Sequence, residues 1–184
     1  MSPAVGRIET RRVYTGRIVS LDVDTVRFPN GSVGSLEMLR HSGASAVVPF
    51  LDDPARPDAR VLLVRQYRYA TDGYVYEIPA GRLDDGEDPE ACGHRELREE
   101  TGYSTASLTH LTTFYTTPGF TDERIHLFMA TEMTAGDAVL ESDEVLEAHP
   151  VEFRVALEMA RSGKIVDGKT IIGLFMAQAR LARG

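Results

Sequence analysis

The stretch EIPAGRLDDGEDPEACGHRELREETGY, residues 77–103, combines helix signals with closely spaced charges. Asp88 suits the N-cap of a helix, Pro89 its first turn, and Gly102 the position that ends it. The residues between these signals are therefore predicted to form a helix. Inside it, Gly93 is unfavourable by about 1 kcal/mol relative to alanine, so we expect another group to approach the helix closely there.

Three glutamates cluster on this predicted helix. Glu96 and Glu100 are four residues apart and project from one face, with Glu99 beside them. Like charges at this spacing repel one another. Because Mg²⁺ and Mn²⁺ prefer oxygen ligands, a divalent cation between the carboxylates would relieve the repulsion. A solvated acidic helix, with Arg95 and Arg98 as surface partners, is the alternative that the helix alone leaves open.

Composition limits the class of protein. The chain has 184 residues, of which 42% are hydrophobic, and this is enough for one domain with a core. No apolar run reaches the length of a membrane span, and the N-terminal residues lack the apolar core of a signal peptide. The net charge of -8 argues against nucleic acid or an anionic membrane as a partner. Cys92 is the single cysteine, so no intrachain disulfide forms and we expect a cytoplasmic protein.

Alternating apolar residues predict strands on both sides of the helix. GRIVSLDVDTVRFPNGSVGSLEML, residues 16–39, is predicted to form two strands joined at the PNGS turn. Strands and helices that do not alternate strictly indicate an α+β fold, in which helices flank a mixed sheet. The other predicted elements are strands at 44–53, 59–70, 73–81, 108–117 and 124–133, an acidic loop at 135–150, and helices at 151–164 and 169–184.

The spacing of the glycines and charges resembles the Nudix box. Every specified position of that signature but the last is present at the right spacing: Gly81, Glu87, Arg95, Glu96, Leu97, Glu99, Glu100 and Gly102. The last position, usually aliphatic, is Tyr103. The resemblance implies a Nudix-type α/β/α sandwich with a mixed sheet and an N-terminal β extension. We expect an N-terminal β hairpin at 1–42 and a Nudix hydrolase domain at 43–184.

The resemblance also implies roles for the residues of the box, with Mg²⁺ or Mn²⁺ as the cofactor. Arg95 would orient a glutamate through a charge-assisted hydrogen bond, and Glu87 would be structural. The implied metal ligands are Glu96, Glu100, Glu99 close by, and the backbone carbonyl of Ala80.

Segments outside the box resemble the ADP-ribose pyrophosphatase group of this family. Pro118, fifteen residues after Tyr103, lies in PGFTDE, and VRQYRYA and GKIVDGKTIIGL are similar to that group too. The expected reaction is therefore hydrolysis of ADP-ribose to AMP and ribose 5-phosphate. The open alternatives are another nucleoside diphosphate sugar, a dinucleotide, or a module that binds ADP-ribose without cleaving it. The expected substrate-binding residues are Arg68, which matches the diphosphate-contacting arginine of the group, Thr117, Pro118, Gly119, Glu123, Tyr14 and Arg17. The alternatives are a solvent-facing strand charge for Arg68, a surface ion pair for Glu123 and a plain turn at Pro118 and Gly119.

A catalytic base is expected in the acidic loop at 135–150, because the glutamates of the box would be occupied by metal. The resemblance favours Glu144, with Glu141 second and the box residue Glu99 as a further candidate. A purely solvated acidic loop is the alternative.

The N-terminal hairpin, 9–40, is expected to pair two subunits into a homodimer. In the resembled group this region also completes the partner's substrate pocket. The aromatic and basic candidates for that role are Tyr14, Arg17 and Arg27.

Overall fold

A computed structural model describes residues 4–136 and 146–183 of the chain. Contacts divide the chain into two compact units. Unit 1 comprises Met1–Gly43 and Phe114–Arg124, and unit 2 comprises Ala44–Thr113 and Ile125–Gly184. None of the helices within the described residues combines the length and the apolar character needed to cross a bilayer.

Unit 1 is built on a three-stranded antiparallel sheet, with the order β1-β2-β3. The turn between the second and third strands falls at the predicted PNGS stretch. There Gly31 has a φ of 85°, and the N–H of Ser32 donates to the side chain of Asn30 at 3.0 Å. The predicted hairpin is therefore present, with a third strand added to it. The bounds are β1 Gly6–Thr15, β2 Ser20–Arg27 and β3 Val33–Arg40.

Further strands form the sheets on which unit 2 is built. They are β4 Ala44–Pro49, β5 Arg60–Arg68, β6 Gly73–Glu77, β7 Ala80–Arg82, β8 Tyr103–Ser104, β9 Leu108–Tyr115, β10 Arg124–Ala130, β11 Thr134–Ala135 and β12 Leu146–Glu152. The four-stranded sheet, β7-β4-β10-β9, is mixed, because β4 runs parallel to β10 and antiparallel to β7. The other sheets are β12-β5-β6 and the short pair β11-β8.

Helices cover both faces of the mixed sheet. Their bounds are α1 Pro89–Thr101, α2 Phe153–Arg161 and α3 Gly168–Leu181. On one face, Leu97 of α1 joins a buried cluster with Val47, Leu108, Phe128 and Ala130. Because side chains alternate along a strand, Val48 faces the other side, where α3 packs. The structure is thus the α/β/α sandwich that the sequence predicts.

Glycines allow both helices to approach the sheet closely. A Cβ built on Gly93 of α1 would lie 3.0 Å from Leu108 Cδ1 and 3.4 Å from Val47 Cγ2. A Cβ built on Gly173 of α3 would lie 3.0 Å from Val48 Cγ2. The close neighbour expected at Gly93 is therefore the hydrophobic core of the sandwich.

Two predicted elements are corrected by the structure. The single strand predicted over 73–81 divides into β6 and β7, which join different sheets. Pro79 lies at this division, where its missing N–H prevents a continuous ladder. The acidic loop predicted over 135–150 is also too long, because Leu146–Glu152 forms β12 and pairs antiparallel with β5.

Candidate active site

The box helix has the boundaries predicted from its capping residues. The side chain of Asp88 accepts hydrogen bonds from the N–H groups of Glu90 and Ala91, at 2.9 and 3.3 Å. Gly102 ends the helix with a φ of 75°, and its N–H donates to the carbonyl of Arg98. These caps fix which turn of α1 carries the glutamates and hence which face they occupy.

Glu96 and Glu100 both border the backbone of β7. They are only 9% and 6% exposed. The N–H of Ala80 donates to Glu100 Oε2 at 3.1 Å, and a Cβ built on Gly81 would lie 1.9 Å from Glu96 Oε1. Only glycine at position 81 therefore leaves Glu96 in its place. Two carboxylates of α1 thus meet the short strand that carries the expected carbonyl ligand.

Arg95 connects three carboxylates of the box. Its Nε and Nη2 each donate to Glu87 at 2.9 Å, while its Nη1 donates to Glu96 at 2.6 Å and to Glu99 at 3.2 Å. The hydrogen bonds to Glu87 raise the pKa of Arg95 above its ordinary value, and they lower the pKa of Glu87 to about 2. A single guanidinium therefore restrains the orientation of Glu96 and Glu99.

The donors at this site fit a hard divalent cation. Carboxylate and carbonyl oxygens are the ligands that Mg²⁺ takes in proteins, and the ion usually needs only one or two carboxylates beside its waters. Glu96, Glu100 and the carbonyl of Ala80 form such a set, although no group of three His, Cys, Asp or Glu with metal-binding geometry occurs among the described residues. The two buried carboxylates are a sufficient anionic pair for one cation, with Glu99 half-buried beside them.

Arg68, an expected diphosphate ligand, forms an ionic cluster that the sequence did not predict. Its Nε and Nη2 donate to the two oxygens of Glu77, at 2.7 and 2.9 Å, and Lys169 of α3 contacts the same carboxylate. Burial alone would raise the pKa of Glu77, but the hydrogen bonds from Arg68 and Lys169 outweigh it and lower that pKa. The sequence signal that could have indicated this cluster is the lone acidic residue in the apolar strand YVYEI.

The expected substrate loop belongs to unit 1. The carbonyl of Thr117 accepts hydrogen bonds from the N–H groups of Phe120 and Thr121, both at 3.1 Å. These bonds close a turn in which Pro118 and Gly119 are exposed. The turn leaves both residues accessible to a ligand.

Glu123 is held at the end of this loop by residues of unit 1. Its Oε2 accepts a hydrogen bond from Thr116 Oγ1 at 2.8 Å, and its Oε1 lies 3.6 Å from His41 Nδ1. Tyr14 and Arg17, the other expected substrate residues of unit 1, are exposed. The metal-ligand candidates and Arg68 belong to unit 2. Glu141 and Glu144, the candidate bases, lie outside the described residues.

Comparisons with known proteins agree with the fold and the box. The NUDIX domain family model matches residues 41–169. An ADP-ribose pyrophosphatase from Bacillus subtilis (strain 168) is 36% identical over 95% of this chain and 93% of its own length. A methanol dehydrogenase activator from Bacillus methanolicus is 37% identical with the same coverage of both chains. The crystal structure of an ADP compounds hydrolase superposes with a TM-score of 0.81 over 99% of this chain and 96% of that one, at 19% identity.

The family model matches residues 41–169, which contain the whole box, and the fold around the box is an α/β/α sandwich. These observations define the class of this protein. The chain belongs to the Nudix family.

Proposed function

We propose that this protein is a Mg²⁺-dependent Nudix hydrolase that cleaves ADP-ribose to AMP and ribose 5-phosphate, with Mn²⁺ as an alternative metal. The observation that carries the reaction type is the meeting of two buried carboxylates, Glu96 and Glu100, with the backbone of β7. The choice of substrate is supported by near full-length similarity to a pyrophosphatase of that specificity.

The reaction divides the work among a small number of side chains. In it, water adds to one phosphorus of the diphosphate and the bridging P–O bond breaks. Glu96, Glu100 and the carbonyl of Ala80 would hold a divalent cation, which would neutralise charge on the diphosphate and acidify a water. Arg95 holds Glu96 and Glu99 in orientation. Arg68 binds a diphosphate oxygen, since a guanidinium offers paired donors to phosphate.

The catalytic base and the substrate contacts are assigned from the resemblance of the loops to the ADP-ribose pyrophosphatase group. Glu144, or Glu141 if the loop aligns differently, takes the proton from the attacking water, with Glu99 as a further candidate for this role. The resemblance also supports substrate contacts from Thr117, Pro118, Gly119, Glu123, Tyr14 and Arg17.

A substrate panel tests this proposal. The purified chain is assayed with Mg²⁺ on ADP-ribose, GDP-mannose, UDP-glucose and NAD, and the products are identified by chromatography. ADP-ribose is expected to give the highest kcat/KM, with AMP and ribose 5-phosphate as products. The Glu100→Gln variant, which lacks one ligand charge, is the control that assigns the activity to this site.

The panel also separates the alternatives. A higher kcat/KM for another member of the panel would identify that compound as the preferred substrate. Binding of ADP-ribose without any product would indicate a non-catalytic module, and neither binding nor cleavage would overturn the proposal.

We also propose that the protein is a homodimer formed through the N-terminal strands. All ten residues of β1 are exposed, and within the described part of the chain this strand has one sheet neighbour, β2. Ile8, Val13 and Tyr14 are 52%, 49% and 59% exposed. An exposed apolar edge strand favours association with a second chain. In such a dimer, Tyr14, Arg17 and Arg27 would contribute to the partner's pocket.

A cytoplasmic location is the last part of the proposal. It is supported by the single cysteine, Cys92, since one cysteine cannot form an intrachain disulfide. Small-molecule substrates are the expected partners besides the second subunit.

A further inference from the structure

The ionic cluster around Glu77 has two cations for one buried carboxylate. Glu77 is 3% exposed, and its two oxygens are occupied by the Nε and Nη2 edge of Arg68. Lys169 Nζ contacts Glu77 Oε2 and lies 3.1 Å from Asp167 Oδ1. The lysine side chain is 13% exposed, whereas that of Arg68 is 43% exposed. The arginine is therefore the member of the cluster that a ligand can reach.

The lysine is anchored by the start of α3. Asp167 caps this helix, accepting hydrogen bonds from the N–H and the Oγ1 of Thr170 at 2.9 and 2.6 Å. Thr170 Oγ1 in turn accepts a hydrogen bond from the N–H of Ile78 at 2.9 Å. Ile78 follows Glu77 directly, so the helix start holds both the lysine and the end of β6. Lys169 is thus fixed relative to the carboxylate that it contacts.

The net charge of the cluster depends on Lys169. Arg68 and Lys169 carry two positive charges, and Glu77 and Asp167 carry two negative ones. Without Lys169 the cluster would carry a net negative charge where an anionic diphosphate has to bind. Repulsion between these like charges at short range would weaken the binding. With Lys169 present, Glu77 can hold the arginine without cancelling the attraction for phosphate.

We propose that Lys169 is a positioning residue, which acts through Glu77 to keep the guanidinium of Arg68 oriented and available for the diphosphate. This inference rests on the proposed function, since it takes Arg68 as a diphosphate ligand. The bidentate contact uses the Nε and Nη2 edge of Arg68, so Nη1 remains for the ligand. Lys169 itself needs no contact with substrate.

A double-mutant cycle tests this role. KM and kcat are measured for wild type, Lys169→Met, Arg68→Ala and the double variant, on the panel substrate with the highest wild-type kcat/KM. Lys169→Met is expected to raise KM by about tenfold, the scale of one charge-assisted hydrogen bond, with a much smaller change in kcat. In the Arg68→Ala background the same change is expected to raise KM much less, because only the change in net charge remains once the residue that Lys169 positions is gone.

Two matched variants separate positioning from folding. Lys169→Arg keeps the charge, and its KM is expected to stay close to that of wild type. Lys164→Met removes an exposed lysine that stacks on Tyr76, and its KM should equal that of wild type. Thermal unfolding is recorded for each variant, and the expected KM effect of Lys169→Met is present at temperatures where the variant is fully folded.

The outcomes distinguish this inference from the proposed function. Equal rises in KM on Lys169→Met in both backgrounds would overturn the positioning role, since the lysine would then act independently of Arg68. A fall in kcat alone would overturn it too. If the wild type prefers another panel substrate, ADP-ribose is overturned as the substrate. The double-mutant cycle, measured on the preferred substrate, still decides whether Lys169 positions Arg68. A wild type that cleaves no panel member overturns both.

Discussion

Replacing Gly81 with alanine would displace one metal-ligand candidate without altering any charge. The added Cβ would lie 1.9 Å from Glu96 Oε1 and 2.0 Å from its Cδ. Ordinary contact begins at 3.4 Å, so the carboxylate must retreat by 3.4 − 1.9 = 1.5 Å. Gly81 does not have a positive φ, so alanine introduces no backbone strain there. The three atoms nearest to the added Cβ all belong to the Glu96 carboxylate, so the substitution acts first on the position of Glu96.

A displacement of this size should lower kcat strongly and reduce stability only slightly. Mg²⁺ binds oxygen at about 2.0–2.1 Å in a strict geometry, and a misplacement of about 1 Å can cost on the order of 100-fold in rate. We therefore expect kcat to fall by about 100-fold or more. The atom that moves is the end of a flexible side chain, so destabilisation should lie at the low end of the ~1–3 kcal/mol typical of overpacking. This corresponds to a fall in Tm of about 2–4 °C.

The assay is ADP-ribose hydrolysis at saturating Mg²⁺, with thermal unfolding followed by circular dichroism on the same samples. Gly168→Ala is the matched control, because a Cβ there has no atom within 4 Å and the residue lies outside the box. It should keep wild-type activity, with a Tm equal to or slightly above that of wild type, because alanine favours the first turn of α3. A Gly81→Ala protein with wild-type kcat would refute the assignment of Glu96 as a ligand held against β7.

Three further predictions concern the base, the pH dependence of stability and assembly. Glu144→Gln should lower kcat by about 100-fold or more, as expected for loss of a general base, with KM little changed; the same loss in Glu141→Gln instead would move the base to that residue. The pKa of Glu87 is lowered from 4.5 to about 2, so its contribution to stability is complete above pH 4.5 and is lost as the pH falls towards 2. In urea titrations, the difference in unfolding free energy between wild type and Glu87→Gln should therefore shrink over that range, and a constant difference would contradict the ion pair. Light scattering at micromolar concentration should give the mass of a dimer; an active monomer would remove the proposed role of β1.

Local signals were sufficient to predict the elements nearest the box. The boundaries of α1 follow from Asp88, Pro89 and Gly102, which act on neighbouring backbone groups and depend little on the rest of the chain. The PNGS turn is similarly local. The α/β/α sandwich could be predicted because apolar strands and amphipathic helices leave few other ways to bury their faces.

Tertiary partners could not be predicted in the same way. Pro79 is a local signal of an interruption within 73–81, but only the pairing of β7 with β4 shows that the chain changes sheets there. The bond between Glu77 and Lys169 joins positions 92 residues apart, and no local pattern links them. Gly81 could be recognised from the sequence as part of the box. The reason why glycine is needed there is the close contact with Glu96, which exists only once α1 is packed against β7.

The glutamate cluster on α1 is compatible with folding because the protein supplies donors for each carboxylate. Arg95 donates to Glu96 and Glu99, and the N–H of Ala80 donates to Glu100. The repulsion expected from the helix alone is therefore already offset by one guanidinium and one backbone amide. Since these donors are weaker partners for a carboxylate than a divalent cation, they can hold the three side chains in place and still allow metal to bind. In the proposed enzyme, a bound cation would add to this neutralisation of the three carboxylates.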